Sequence, residues 1–188
     1  MNQLAKQQNG EAGSGGAGAI APSQYLTFSI AGETYATEIL QVKEILRYDV
    51  ITKVPSTPPS IRGVLNLRGS VVPVVDLAVK FGLPPSPVTR FSCVIIVEVG
   101  VDGERNTMGL MADSVSQVID LGAGDIEPAP SFGTRVKVEY LRGMGRDGKK
   151  FVLLLDIERL ITADETNVAQ LAAPESSPTE PAQPQASA

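Results

Sequence analysis

Residues 61–83 run Ile-Arg-Gly-Val-Leu-Asn-Leu-Arg-Gly-Ser-Val-Val-Pro-Val-Val-Asp-Leu-Ala-Val-Lys-Phe-Gly-Leu, a plan of strand, glycine turn, strand, aspartate and short helix that few folds accommodate. Positions 64–67 and 71–75 are apolar or β-branched runs of strand length. Arg68-Gly69-Ser70 between them supplies the glycine that a tight hairpin needs for φ > 0. Pro73 has no N–H for a ladder, so its donor side is expected to face an edge. Asp76 stands where a helix N-cap belongs, ahead of Leu77, Val79 and Phe81, with Gly82 and Pro84 as stop signals. The helix so marked is hardly longer than two turns.

From Tyr140 the plan returns: Leu-Arg-Gly, an apolar strand, Asp156 and a short amphipathic helix. Aligned on these features, Arg68 matches Arg142 and Asp76 matches Asp156, while Val42-Lys-Glu-Ile45 upstream matches Val115-Ser-Gln-Val118. The offsets between copies are 73, 74 and 80 residues. The growth from 74 to 80 is assigned to the second hairpin loop, because loops tolerate insertion cheaply. A β unit has therefore been duplicated, and 188 residues with 43% apolar content suit one domain of two similar lobes.

The remaining segments fit the same economy. Residues 24–31 alternate Tyr25, Thr27 and Ser29 against Leu26, Phe28 and Ile30, a half-buried strand, and Gly32-Glu33 turns the chain into 34–36. Ile39, Val42, Ile45 and Leu46 recur at helical spacing, so 38–46 reads as a short helix, although its β-branched content also fits an irregular segment or a strand. A strand is expected at 50–54, then Pro55, Pro58 and Pro59. Pro84-Pro-Ser-Pro87 reads as the connector between lobes. The second lobe opens with a central strand at 91–99; Val101-Asp-Gly-Glu turns, 107–111 returns, 113–119 carries the second valine pair and 120–136 is loop. Residues 1–23 and 164–188 lack apolar periodicity and are expected to be disordered tails around a domain at 24–163.

Charge and residue inventory exclude several functions. The net charge of −5 sits mostly in the C-terminal stretch, where Asp164, Glu165, Glu175 and Glu180 have no basic neighbour, and the core is near neutral. Such a core gives no counterion-release drive toward nucleic acid and no polybasic membrane patch. No apolar run reaches the roughly 18 residues of a transmembrane helix, and the N-terminus lacks a signal-peptide pattern, so direct membrane insertion is not expected. The single cysteine, Cys93, lies in an apolar run and reads as a buried small hydrophobe of a reducing cytoplasm. Without histidine there is no Ser-His or Cys-His nucleophile and no histidine metal site. Two glycine patterns also lack their context. Gly13-Ser-Gly-Gly-Ala-Gly18 follows no strand, and Gly143-Met-Gly-Arg-Asp-Gly-Lys-Lys150 precedes a strand and lacks the hydroxyl that would hold magnesium. Asp76, Asp113 and Asp156 read as caps and turn formers before they read as a carboxylate site. No catalytic residue, metal or cofactor is expected; an interaction protein is. On residue type alone, Arg68 is a solvated turn residue and Glu44 the exposed face of a helix.

The stretch from Ile61 to Leu77 resembles the signature of the CheW family, the coupling proteins of bacterial chemotaxis. The likeness continues through Val42-Lys-Glu-Ile45, Asp113-Ser-Val-Ser-Gln-Val118, Pro128-Ala-Pro130, Tyr140-Leu-Arg-Gly143 and Asp156-Ile-Glu-Arg-Leu160, spanning about residues 24–163. The resemblance implies a mainly β fold of two SH3-like, five-stranded barrel lobes in one domain, interleaved along the chain, with short helices. It implies no enzymatic activity. The expected role is a scaffold bridging the cytoplasmic tips of chemoreceptors to the regulatory domain of the histidine kinase CheA, in the cytoplasm at membrane-bound receptor arrays. A kinase-regulatory-like or receiver-less coupling module, or an aspartate-based hydrolase, are the alternatives. Carried over by position, the partner-binding residues are Val42, Glu44, Gly63 and Arg68, and Ile45 joins them as a receptor- or kinase-binding candidate. An arginine fork on a rigid hairpin suits a carboxylate or carbonyl on a helical receptor tip, while Val42 and Ile45 suit an apolar helix face.

Overall fold

The computed structural model describes residues 22–49, 51–130 and 133–169. Eleven strands are formed among them: β1 Ser23–Ile30, β2 Glu33–Glu38, β3 Val42–Arg47, β4 Ile61–Leu67, β5 Ser70–Asp76, β6 Cys93–Val101, β7 Glu104–Ala112, β8 Ser114–Leu121, β9 Ile126–Glu127, β10 Leu141–Asp147 and β11 Lys150–Leu155. Three one-turn helices, α1 Leu77–Lys80, α2 Ile157–Leu160 and α3 Ala163–Thr166, and three 3₁₀ turns accompany them among the described residues. The strands form two sheets, ordered β8-β1-β2-β11-β10-β9 and β3-β6-β7-β5-β4. The expected mainly β, two-lobed architecture is present, the first lobe gaining a sixth strand in the two-residue β9.

The lobes are interleaved. β1 and β2 build the first lobe; the chain then crosses through a 3₁₀ turn at Ile39–Gln41 to make all of the second lobe, β3 to β7, and returns at β8. Pro84-Pro-Ser-Pro87 thus joins two elements of the second lobe and does not connect the lobes. Neither hydrogen-bonded ladder closes among the described residues, but both sheets curl. In the first lobe Leu121 of β8 lies against Gly145 of β10, and in the second Thr52 pairs with Val64 of β4.

Three apolar clusters hold this together, and strand alternation deals residues between them. Tyr25, Ala36, Leu121, Val152 and Leu154 fill the first lobe. Val72, Val74, Val94, Ile96 and Met111 fill the second. Their neighbours, including Leu26, Phe28, Tyr35, Val75, Ile95 and Leu155, turn the other way into one large core between the sheets. Because both lobes share that core, they are one folding unit.

The duplication is real, but its register differs from the motif alignment. Ile61, Gly63, Ser70 and Asp76 recur structurally as Leu141, Gly143, Lys150 and Asp156, a constant spacing of 80 residues, with a bulge at Arg62 and at Arg142. Arg142 is therefore the counterpart of Arg62, not of Arg68, whose counterpart is Gly148. Both occupy the first turn position with positive φ, 52° at Arg68 and 62° at Gly148. The hairpin loops are equal in length. The extra residues lie ahead of β10, in the connector that carries β9.

Other expectations resolve on backbone grounds. Residues 38–46 form the 3₁₀ turn and then β3; the helical spacing of their apolar residues arises from a bulge between Val42 and Glu44. Of the strand expected at 50–54, the described residues 51–54 contribute one bridge, Thr52 to Val64. Pro73 sits in β5, an interior strand. Thr52 takes both backbone groups of its opposite number Val64, so the missing N–H of Pro73 faces β7, where pairing begins only at Val74. The fold also extends past residue 163, where the tail was expected to start: Glu165, Thr166 and Val168 are buried.

Candidate functional site

The opening between β3 and β4, the two edges of the second lobe, brings the signature residues together. Along β3, Glu44 and Leu46 stand opposite Ile96 and Val94 and so share the face that looks into the lobe. From the far edge Arg68 reaches across: its Nη2 donates to Glu44 Oε2 at 3.0 Å. The hairpin tip that carries Arg68 is a two-residue turn with positive φ at both Arg68 and Gly69 (52° and 91°), the pattern of type I′. Asn66 Oδ1 accepts from Gly69 N–H at 2.8 Å and fixes it. Arg68 stays 81% exposed, so its remaining donors face solvent. This ion pair spans the mouth of the lobe without filling it.

Beside the pair's strands lies a groove of about 520 Å³ lined by Leu46, Tyr48, Ile51, Leu65 and Val94 together with polar Arg47, Asp49 and Asn66. It continues through Tyr48 and Ile51 into a second cleft of about 490 Å³ beside Lys53, Pro59 and Arg62. Gly63 makes this possible. It is buried, has φ of +148°, and a Cβ there would stand 2.3 Å from Thr52 O and 2.7 Å from Ile51 Cγ2. Only a hydrogen lets the Ile51-Thr52 strap cross β4 and exchange hydrogen bonds with Val64, at 2.9 and 2.8 Å.

Val42 and Ile45 belong to the other face of β3. Val42 packs at the margin of the interlobe core, and Ile45, opposite buried Ile95, is 44% exposed. Glu44 and Arg68 are thus in contact, Gly63 supports their groove from below, and Val42 with Ile45 form a separate apolar strip on the same edge strand.

The aspartates have structural work. Asp76 Oδ1 accepts from the N–H of Ala78 and Val79 and Oδ2 from Ser86 N–H and Arg62 Nη1, so this buried carboxylate is fully occupied. Asp156 Oδ1 accepts from Arg159 N–H, and Asp113 Oδ2 from Ala31 N–H at 2.7 Å. The Gly143–Lys150 motif is β10 and its hairpin tip; the Gly13–Gly18 motif lies outside the described residues. Among the ion pairs that the sequence reading did not foresee are Arg62 with Asp76 and Arg142 with Glu38. The hairpin register, which sets Ile61 opposite Val75 and so brings the strand ends that carry Arg62 and Asp76 together, was the available signal for the first. Nothing local announces the second, which joins residues 104 positions apart.

Residues 24–165 match the model of the CheW-like domain. The chain belongs to the CheW family. It is 38% identical over 149 residues to chemotaxis protein CheW of Klebsiella aerogenes, covering 79% of this chain and 87% of that one. It is 29% identical to the probable chemotaxis protein CheW of Rhizobium etli, covering 78% and 92%. Among solved structures, the scaffolding protein TtCheW of Thermoanaerobacter tengcongensis superposes with a TM-score of 0.68 at 32% identity, covering 79% of this chain and 94% of that one. CheW family membership makes this chain a non-enzymatic chemotaxis coupling scaffold.

Proposed function

We propose that the open edge of the second lobe is where this scaffold meets its partners, and that it couples the cytoplasmic tips of chemoreceptors to the regulatory domain of the histidine kinase CheA. The observation that carries the reading is the Glu44–Arg68 pair: a charged clasp, largely exposed at its arginine, held on a rigid hairpin beside a groove of mixed apolar and polar lining. Arginine's planar fork can keep its bond to Glu44 and still donate to a carboxylate or carbonyl on an incoming helix. The exposed strip of Ile45 beside Val42 offers a helix an apolar anchor within reach of that polar clasp. Gly63 serves both by holding the groove's floor. The working unit is the domain near residues 24–163 with its buried C-terminal extension, acting on the cytoplasmic side at receptor arrays. No helix of the described residues is long and apolar enough to cross a membrane.

The test is sedimentation of receptor-containing membranes with the cognate kinase. Addition of this chain is expected to carry kinase into the pellet and raise its autophosphorylation. Kinase that stays in the supernatant with every cognate receptor would contradict the reading.

A further inference from the structure

One buried carboxylate joins α3 to the start of the binding edge. Glu165 is 1% exposed, yet its two oxygens accept from four donor groups. Thr162 gives its backbone N–H at 3.0 Å and its hydroxyl at 3.1 Å to Oε2, closing the first turn of α3. Lys80, the last residue of α1, gives Nζ to both oxygens at 2.8 Å, and the Ser60 hydroxyl donates to Oε1. The lone pairs of this carboxylate are thus committed. The charges balance locally, Lys80 pairing with Glu165 and Arg62 with the neighbouring buried Asp76.

Ser60 carries this tie to the edge. It is buried, it immediately precedes β4, and its carbonyl accepts from Asp76 N–H at 2.8 Å, the rung that closes the β4–β5 hairpin. Its neighbours Pro59 and Ile61, with Val79 beside Lys80, wall the cleft of about 490 Å³ that Tyr48 and Ile51 also line, and Gly63 just beyond is where the Ile51-Thr52 strap crosses. The first lobe lacks this arrangement. There the matching rung runs from Asp156 N–H to Tyr140 C=O at 2.9 Å, and Tyr140 makes no hydroxyl bond to α3 among the described residues; its ring lies 6.0 Å from Lys80 Nζ.

A buried ion pair is often no more stabilising than well-packed apolar side chains of similar volume, so stability alone does not account for this one. We propose that Glu165 is a positioning residue for the partner-binding edge: through Ser60 it sets where β4 starts, and hence the crossing of the strap at Gly63 that shapes the groove beside the Glu44–Arg68 clasp. The functional half of this inference rests on the binding edge proposed above; the tie itself does not.

Native-state hydrogen exchange of the full chain alone, with receptor-membrane sedimentation of the same proteins, tests it. Ser60→Ala cuts the tie and leaves Lys80 and Thr162 on Glu165; K80M/E165L removes the ion pair and fills its space with apolar side chains. Each is expected to speed exchange at the Thr52, Val64 and Asp76 amides about tenfold or more, as for the loss of one hydrogen bond to a charged group, while the β6–β7 ladder keeps its rates. Each is also expected to weaken kinase recruitment about fivefold or more, although the double variant regains most of the stability that Lys80→Met alone loses. Strap amides at the wild-type rate in either variant would overturn the tie. Uniformly faster exchange across both sheets would overturn it too, by making the pair a matter of global stability. Faster strap exchange with undiminished recruitment would overturn the positioning role. A wild-type chain that recruits no kinase would count against the binding edge and the functional half together, while the exchange rates would still decide the tie.

Discussion

Gly63→Ala is the sharpest single perturbation of the groove. The added methyl would meet Thr52 O at 2.3 Å and Ile51 Cγ2 at 2.7 Å, both in a strap tied to β4, and alanine would be held at a φ of +148° that side chains rarely adopt. Strain of that kind costs about 1–3 kcal/mol. Lifting the strap removes the reciprocal Thr52–Val64 hydrogen bonds, about 0.5–1.5 kcal/mol each. The expected destabilisation is therefore about 2–6 kcal/mol in urea unfolding, with the thermal midpoint lowered accordingly. Two further glycines separate the causes. Gly69→Ala shares a positive φ (+91°) but has nothing within 4 Å, and should lose only about 1 kcal/mol. Gly143→Ala, the duplicated counterpart, has the close approach, 2.7 Å to Glu127 O, without φ in the glycine region, and should fall between. If Gly63→Ala unfolded no more easily than Gly69→Ala, the strap would not be held by close packing and the reasoning would fail.

Three other outcomes follow from the structure. Lys80 and Glu165 are 10% and 1% exposed, so Lys80→Met alone should cost about 3–5 kcal/mol in denaturant unfolding by stranding a buried carboxylate, and K80M with E165L should recover much of that. The Cys93 thiol is pushed up by burial, with the nearby Asp113 charge adding to it, and should resist a thiol reagent at pH 8 until the protein is unfolded. Glu98 is held below the usual carboxylate range by its hydrogen bond from Lys43, 2.5 Å away. With the folded value depressed, its stabilising contribution is present above the unfolded value and lost as pH falls through the folded one; Lys43→Gln should raise the Glu98 titration midpoint read by carbon-13 NMR.

Much of this was legible in the sequence because local chemistry and fold agree. Alternation predicted β1, turn glycines marked the hairpins, and Asp76 and Asp156 announced helix caps that the structure confirms. The misalignment of Arg68 with Arg142 has a physical cause. The same Leu-Arg-Gly serves at Leu67-Arg68-Gly69 as a turn and at Leu141-Arg142-Gly143 as a strand start with a bulge, and residue identity does not distinguish them. The helical reading of 38–46 failed because one bulge shifts strand parity and mimics helical spacing. Glu165 was assigned to a solvated acidic tail because its partners Ser60 and Lys80 lie 105 and 85 residues away. That Val42, Glu44, Ile45, Gly63 and Arg68 are candidate partner-binding residues could be inferred from the family resemblance. That Glu44 and Arg68 touch could not, since β3 and β4 are opposite edges of one sheet and meet only through its curl.

The most direct test of the proposed binding edge is Arg68→Ala in the receptor-membrane assay, with thermal unfolding measured on the same protein. An ion pair this exposed contributes about 0.2–1 kcal/mol to the fold, so the midpoint should move little. As a charge-assisted contact, its loss should weaken kinase recruitment by about 1–3 kcal/mol, roughly 5- to 150-fold in affinity. Undiminished recruitment by a fully folded variant would place the partners elsewhere on the molecule.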